Sequence, residues 1–131
     1  MELFALPIPV VAAVNGHAIA GGGVMTLAAD YRIMAEGSGR IGVPELLVGV
    51  PFPAAPLEVV RFAARRDRLQ SLIYLGRMLG PQDALAEGLL DEVVPADALV
   101  RRAREVAAQL ASLPPDVFRA TKQALRAEAL A

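Results

Sequence analysis

The sequence contains no cysteine, no tryptophan and a single histidine among its 131 residues. The lack of cysteine excludes disulfide bonds and thiolate metal sites, and one histidine cannot build a metal site that needs several imidazoles. The formal net charge is −1, and the basic residues do not cluster into runs. We therefore expect neither nucleic acid nor an anionic membrane surface as a partner.

Long apolar runs are also missing from the sequence. The longest, Leu3–Val14, is interrupted by Pro7 and Pro9 and is too short to cross a bilayer, and it lacks the basic lead and cleavage site of a signal peptide. We expect a cytoplasmic protein with no membrane partner. Because 55% of the residues are hydrophobic, some apolar surface should be buried against another subunit or a further segment.

The order of the predicted elements indicates an α/β fold in a single domain over residues 1–131. A strand is predicted over Ile8–Gly16, a short helix over about Gly22–Ala29 and a second strand over Tyr31–Glu36. An irregular apolar segment, Gly39–Pro53, follows. Residues 1 to about 52 should thus form the part of the core that holds the glycines and Glu45.

Residues from about 53 to 131 are predicted to be mainly helical. The arginines at positions 101, 102 and 104 should lie on a solvated helix face. The predicted elements are helices over Pro56–Arg66 and Arg68–Gly76, a helix that begins at Pro81, a strand over Asp91–Pro95, a helix over Ala96–Ser112 and a last helix after Pro115.

Three consecutive glycines, Gly21–Gly23, follow the first strand in "NGHAIAGGG". A P-loop starting at Gly16 would need Lys and Ser or Thr where Gly22 and Gly23 stand, and a dinucleotide fingerprint starting at Gly21 has Thr26 in place of its third glycine. Two uses of the glycines remain open. They allow close packing of a helix on a strand, or they offer backbone N–H groups to a developing oxyanion.

One carboxylate, Glu45, lies in the apolar segment "IGVPELLVGV" directly after Pro44. A partly desolvated carboxylate is a stronger proton acceptor, so Glu45 is a candidate catalytic base. It could instead cap the following turn or pair with Arg40. We expect His17 to be a packed or hydrogen-bonded structural residue, and Asp30 to tie the turn after the first helix to neighbouring N–H groups.

Three separated blocks resemble the enoyl-CoA hydratase/isomerase, or crotonase, family: "PVVAAVNGHAIAGGGVMTLAADYRIMAE", "IGVPELLVGV" and "GPQDALAEGLLDEVVP". The resemblance covers nearly the whole chain and implies part of a crotonase-like spiral of ββα units with a helical C-terminal part. It implies Gly21 as the donor of an oxyanion N–H and Glu45 as the catalytic carboxylate. Ala20, Gly22 and Pro44 would join Gly21 in binding substrate.

The resemblance also favours one reaction of the family. Its hydratases carry a second glutamate at the position matching Val24, and neither Val24 nor Met25 beside it can take that role. The one-glutamate members move a double bond from 3-enoyl-CoA to 2-enoyl-CoA, as in the β-oxidation of fatty acids. They need no metal or cofactor besides the coenzyme A of the substrate. A catalytically silent fragment, a partner-dependent subunit, hydration or another acyl-CoA reaction remain alternatives.

Compared with the family, the sequence is expected to be truncated at both ends. The first oxyanion N–H and most coenzyme A contacts of the family lie in an N-terminal portion that has no counterpart in this sequence. The final helices, which pack family subunits into trimers, are missing or incomplete. For a full-length enzyme the resemblance implies a homo-oligomer, a trimer or a dimer of trimers.

Overall fold

The computed structural model describes all of residues 1–131. Short strands form two small sheets, and the helices pack against them. In chain order the elements are α1 (Glu2–Ala5), β1 (Val11–Val14), β2 (Ala18–Ile19), α2 (Gly21–Leu27), β3 (Tyr31–Ala35), β4 (Ile41–Gly42), a 3-10 turn (Glu45–Val48), α3 (Ala54–Ala63), α4 (Leu69–Tyr74), β5 (Met78–Leu79), α5 (Pro81–Ala86), β6 (Glu92–Val94), a second 3-10 turn (Ala96–Ala98), α6 (Leu99–Ala111) and α7 (Pro115–Leu130).

The first sheet has the strand order β1-β3-β6, and all its pairings are parallel. Since β1 and β3 are parallel neighbours, the chain between them must cross over the sheet, and α2 forms this crossover. β1 lies at an edge, so one side of its backbone has no neighbouring strand. The second sheet has the order β2-β4-β5, in which β2 and β4 are parallel and β4 and β5 antiparallel.

Buried side chains of β3 divide the apolar core into two clusters. Successive residues of a strand point to opposite faces, and here both faces are covered. Met34 joins the main cluster, which also contains Phe4 and Val60, whereas Ile33 packs with Leu99 of α6. β3 therefore has helices on both of its faces.

Most of the predicted elements recur within a few residues of their expected bounds. Gly76 and Gly88 follow α4 and α5 with φ angles of +56° and +81°, which suits glycine at the end of a helix. The structure adds α1 and the two-residue strands β2, β4 and β5, which the sequence does not predict. None of the helices combines the length and the hydropathy needed to traverse a bilayer.

The prediction that three arginines of α6 lie on a solvated face is wrong for one of them. Arg101 and Arg104 are exposed, as predicted. Arg102 instead donates hydrogen bonds to both carboxylate oxygens of Glu92, with Nε and Nη2 each at 2.8 Å from one of them. The reason is that β6 places Glu92 beside α6, a contact between elements that the helical pattern cannot show.

Candidate active site

The backbone at Ala20, just before α2, has an unusual conformation. Its φ of +56° and ψ of −119° make it the one residue other than glycine with a positive φ. Ala20 is held there from both sides, since its N–H donates to Gly42 O at 3.0 Å and its carbonyl accepts from Val24 N at 3.0 Å. Such strain costs about 1–3 kcal/mol and is concentrated at functional sites.

The glycine triplet divides between the two uses that the sequence leaves open. Gly23 is buried, and a Cβ there would lie 2.4 Å from Gly42 O, so this glycine serves close packing. Gly21 and Gly22 are exposed, and a Cβ on either would meet nothing within 4 Å. Since the first hydrogen bond of α2 is donated by Val24, the N–H groups of Gly21 and Gly22 are left over at the helix N-terminus.

An open groove of about 340 Å³ lies between β1 and α2, and Gly22 lines it. Val24 packs against the main core cluster, whereas Met25 is 64% exposed and lines the groove. Of these two positions, only 25 lines the groove, whereas the resemblance matches the second family glutamate to position 24. The remaining lining is mostly apolar: Leu3, Val10, Val11, Ala12, Ala13, Val14, Asn15, His17, Ala18, Thr26 and Ala29.

His17 is exposed at one end of this groove. Its Nδ1 accepts a hydrogen bond from the backbone N–H of Arg40 at 3.1 Å, which confirms the predicted hydrogen-bonded role. A neutral imidazole that accepts at Nδ1 carries its proton on Nε2. His17 thus links the turn after β1 to the start of β4.

Glu45 stands at the start of the 3-10 turn, after Pro44. Its Oε2 atom is buried and has no hydrogen-bond partner. Neither of the local alternatives is realised, because the turn has no side-chain cap and the Arg40 guanidinium instead donates to the carbonyls of Ser38 and Gly39. A buried polar atom without a partner is costly, and in native proteins it calls for an explanation such as a catalytic role.

The second sheet brings the Glu45 segment towards the glycines. Ile19 of β2 is paired with Gly42 of β4, and the two strands are parallel, so the chain leaves both at the same end. Two residues beyond Ile19 is Gly21, and three residues beyond Gly42 is Glu45. A further contact holds the Glu45 turn from the side, because Leu47 packs against Gly76, where a Cβ would lie 2.6 Å from Leu47 Cγ.

Asp30 joins a buried charged cluster that the sequence does not reveal. Its carboxylate accepts hydrogen bonds from Val10 N at 2.8 Å, Lys122 Nζ at 2.8 Å and Arg126 Nη2 at 2.9 Å. The prediction that Asp30 binds backbone N–H groups is confirmed for Val10 N alone, twenty residues away in sequence, and its other two partners are the side-chain cations of α7. Lys122 and Arg126 are each 5% exposed, and the one signal for them in the sequence is their i,i+4 spacing on α7.

The structure contains no group of three or more His, Asp or Glu side chains that could hold a metal ion. The candidate site offers the Glu45 carboxylate and the amides of Gly21 and Gly22. Arranged on the same end of a small sheet, a base and two hydrogen-bond donors can remove a proton next to a carbonyl and stabilise the resulting oxyanion.

A profile of the family described as Enoyl-CoA hydratase/isomerase matches residues 1–130. The chain is 36% identical over 120 residues to an enoyl-CoA isomerase/hydratase of Mycosarcoma maydis, covering 92% of this chain and 44% of that protein. It is 34% identical over 127 residues to the mitochondrial enoyl-CoA delta isomerase 1 of Rattus norvegicus, covering 96% and 44%. A carnitinyl-CoA dehydratase of Salmonella typhi is 35% identical, with 96% and 48% covered.

Solved structures show the same similarity. An enoyl-CoA isomerase of Mycobacterium tuberculosis superposes with a TM-score of 0.93 at 35% identity, covering 98% of this chain and 57% of that one. A methylmalonyl-CoA decarboxylase at 23% identity, with a TM-score of 0.89, shows similarity of fold alone. The chain spans about half the length of the curated relatives that it matches.

Proposed function

The chain belongs to the enoyl-CoA hydratase/isomerase family, and from this premise we propose that it converts a 3-enoyl-CoA into the 2-enoyl-CoA. The predicted family and the predicted crotonase-like α/β fold are both confirmed by the matches. The observation that carries the proposed reaction is the Glu45 Oε2 atom, which is buried and unpartnered. It is a base held ready for a proton, at the same end of the second sheet as helix amides that lack acceptors.

In the proposed reaction Glu45 removes a proton from C2 of the 3-enoyl thioester. The electron pair of that C–H bond delocalises into a dienolate whose negative charge rests mainly on the thioester oxygen. The N–H groups of Gly21 and Gly22 stabilise this oxygen, helped by the positive end of the α2 dipole. Glu45 then returns the proton to C4, so the double bond ends between C2 and C3 and the carboxylate is regenerated.

A single carboxylate suits isomerisation better than hydration. The same group can take and return one proton, whereas adding water needs one group to activate the water and another to deliver a proton. Val24 and Met25 supply neither. Hydration is the competing reaction, because some relatives are named as a hydratase or a dehydratase.

The proposed substrate-binding residues are those that carry or adjoin the amides and the base: Ala20, Gly21, Gly22 and Pro44. The proposed chemistry draws its base and its oxyanion donors from the protein, so we propose no cofactor beyond the coenzyme A of the substrate. An acyl-CoA is the proposed partner, in the cytoplasm. Exposed apolar side chains such as Leu47 and Val48 support the further proposal that the full-length protein is a homo-oligomer, a trimer or a dimer of trimers.

Substitution of Glu45 by glutamine tests the reaction. Glu45→Gln keeps the size of the side chain but removes the base, so conversion of 3-hexenoyl-CoA to 2-hexenoyl-CoA should slow by roughly 10²- to 10⁴-fold. The exposed carboxylate of Glu36 provides the matched control, and Glu36→Gln should leave turnover unchanged. Undiminished turnover in Glu45→Gln would refute the assignment. Hydration of 2-hexenoyl-CoA to 3-hydroxyhexanoyl-CoA by a protein that leaves 3-hexenoyl-CoA unchanged would replace isomerisation by hydration.

A silent or partner-dependent role is the second candidate function. It is favoured by the unpaired edge of β1, where a strand of a partner could pair. In this case the isolated chain would bind 3-hexenoyl-CoA without converting it. Titration calorimetry beside the turnover assay separates the two candidates, because binding with turnover excludes a silent role.

A further inference from the structure

We propose that Arg126 of α7 is a positioning residue: it fixes α2 at its C-terminal end and thereby orients the N–H groups of Gly21 and Gly22 at the other end. The inference rests on the proposed function in its choice of those two amides. It concerns a residue that does not itself touch substrate.

The α2 helix needs such support because its own sequence forms a helix poorly. It has seven residues, of which the first three are glycines. Each glycine costs about 1 kcal/mol relative to alanine, and isolated helices of this length are unstable in water. The helix also begins at the strained Ala20. Contacts with the rest of the molecule must therefore set its direction.

Arg126 supplies these contacts at the C-terminal end of α2. Its Nη1 donates to Ala28 O at 2.8 Å, and its Nη2 is 3.3 Å from Ala29 O. Carbonyls at a helix end have no donor within the helix, and a cation there is favoured by the helix dipole. The guanidinium thus acts as a cap provided by a distant part of the chain.

The same guanidinium is itself tightly held. Nη1 also donates to Phe4 O at 2.9 Å, Nη2 donates to Asp30 Oδ1 at 2.9 Å, and the group lies 4.1 Å from the centre of the Phe4 ring. Burial lowers the pKa of Arg126, and the charge of Asp30 opposes this effect. Because the planar guanidinium reaches four acceptors in fixed directions, a lysine cannot reproduce the set.

Lys122 extends the anchor to the chain that enters β1. Its Nζ donates to Asp30 Oδ2 at 2.8 Å and to Ile8 O at 3.0 Å. Asp30 in turn accepts from Val10 N at 2.8 Å. The end of α2 is therefore tied to the strand beside it through one buried carboxylate, and α7 provides both cations.

A small rotation of α2 would change the direction of the glycine amides, and misplacement by about 1 Å can cost up to about 100-fold in rate. We test this with Arg126→Lys and Arg126→Gln. Arg119→Gln is the control, because Arg119 lies on the same helix but is exposed and pairs only with Asp116. The readouts are the amide NMR resonances of Gly21 and Gly22, and kcat and KM for 3-hexenoyl-CoA.

We expect Arg126→Lys to fold, to shift or broaden both glycine resonances and to lower kcat by roughly 10- to 100-fold with little change in KM. The control should leave both glycine resonances, kcat and KM unchanged. The wild-type protein could also show no turnover while the glycine resonances still shift in the Arg126 variants. That result would support the positioning role and refute the proposed reaction. Unchanged resonances in both Arg126 variants would overturn the inference, as would loss of folding in Arg126→Lys, since Arg126 would then hold the whole fold.

Discussion

At the scale of single residues, Gly23 and Gly22 differ in the room around them. A Cβ at position 23 would lie 2.4 Å from the backbone oxygen of Gly42, whereas one at position 22 would meet nothing within 4 Å. We expect Gly23→Ala to destabilise the fold by about 1–3 kcal/mol. Gly22→Ala should be neutral or stabilising by up to about 1 kcal/mol.

The free energies of unfolding of both variants can be measured by urea denaturation. Equal values for the two would show that the contact between α2 and β4 is looser than the structure has it.

The roles of these glycines could be predicted only as a pair of alternatives. The sequence shows three residues without side chains but not which neighbour each one meets, and that neighbour, Gly42, is distant in sequence. Glu45 was easier to predict, since a lone carboxylate among apolar residues is visible locally. The sequence could not show that Glu45 lacks a hydrogen-bond partner, because Arg40 is close to it in sequence. The fold directs the Arg40 guanidinium to the carbonyls of Ser38 and Gly39 instead.

At the scale of elements, Glu92 joins β6 to α6 and β3. It accepts hydrogen bonds from Arg102 and, at 2.6 Å, from the Tyr31 hydroxyl, and these contacts hold the pKa of Glu92 below its ordinary value near 4.5. The ionised carboxylate therefore stabilises the fold at pH values above about 4.5, and this contribution is lost as the pH falls through the lower folded-state pKa.

Glu92→Gln should accordingly lower the melting temperature at neutral pH, and the difference from wild type should shrink on acidification below about pH 4.5. Thermal unfolding followed by circular dichroism over a pH series measures both effects. The control is Asp97→Asn, at an exposed position, whose difference from wild type should not vary in this way. A Glu92→Gln difference that is constant with pH would contradict the ion-pair account.

Long elements were predictable and short ones were not. The sequence of α6 repeats apolar residues at helical spacing, and Leu99 and Val106 are buried as that pattern requires. The strands β2 and β4 have two residues each, too few for any periodicity to appear. Since their pairing directs the glycines and Glu45 to the same end, the geometry of the site depends on the least predictable part of the fold.

At the scale of the whole molecule, the outer edge of β1 is open to another strand. The Val10 carbonyl accepts from Asp30 N and Tyr31 N and so faces β3. In a parallel ladder the direction alternates along the strand, and Val11 and Ala13 therefore present their backbone groups to the free edge. This edge carries no charge or proline that would discourage pairing.

We expect the isolated chain to self-associate through this edge as its concentration rises. Ala13→Pro removes one outward N–H without touching the ladder to β3 and should reduce the association. Ala13→Ser retains the N–H and should associate like wild type. Sedimentation velocity over a concentration series decides the matter, and equal behaviour of the two variants would place the association on another surface.

The packing of Leu47 against Gly76 has a consequence for protein engineering. Gly76 contacts the turn that carries Glu45 although two helices, α3 and α4, separate them in sequence, and a larger residue at position 76 would displace Leu47. A chimera that exchanges only the Glu45 segment with a relative would separate a side chain from the space made for it. Recombination libraries built on this scaffold should therefore inherit positions 47 and 76 as one unit.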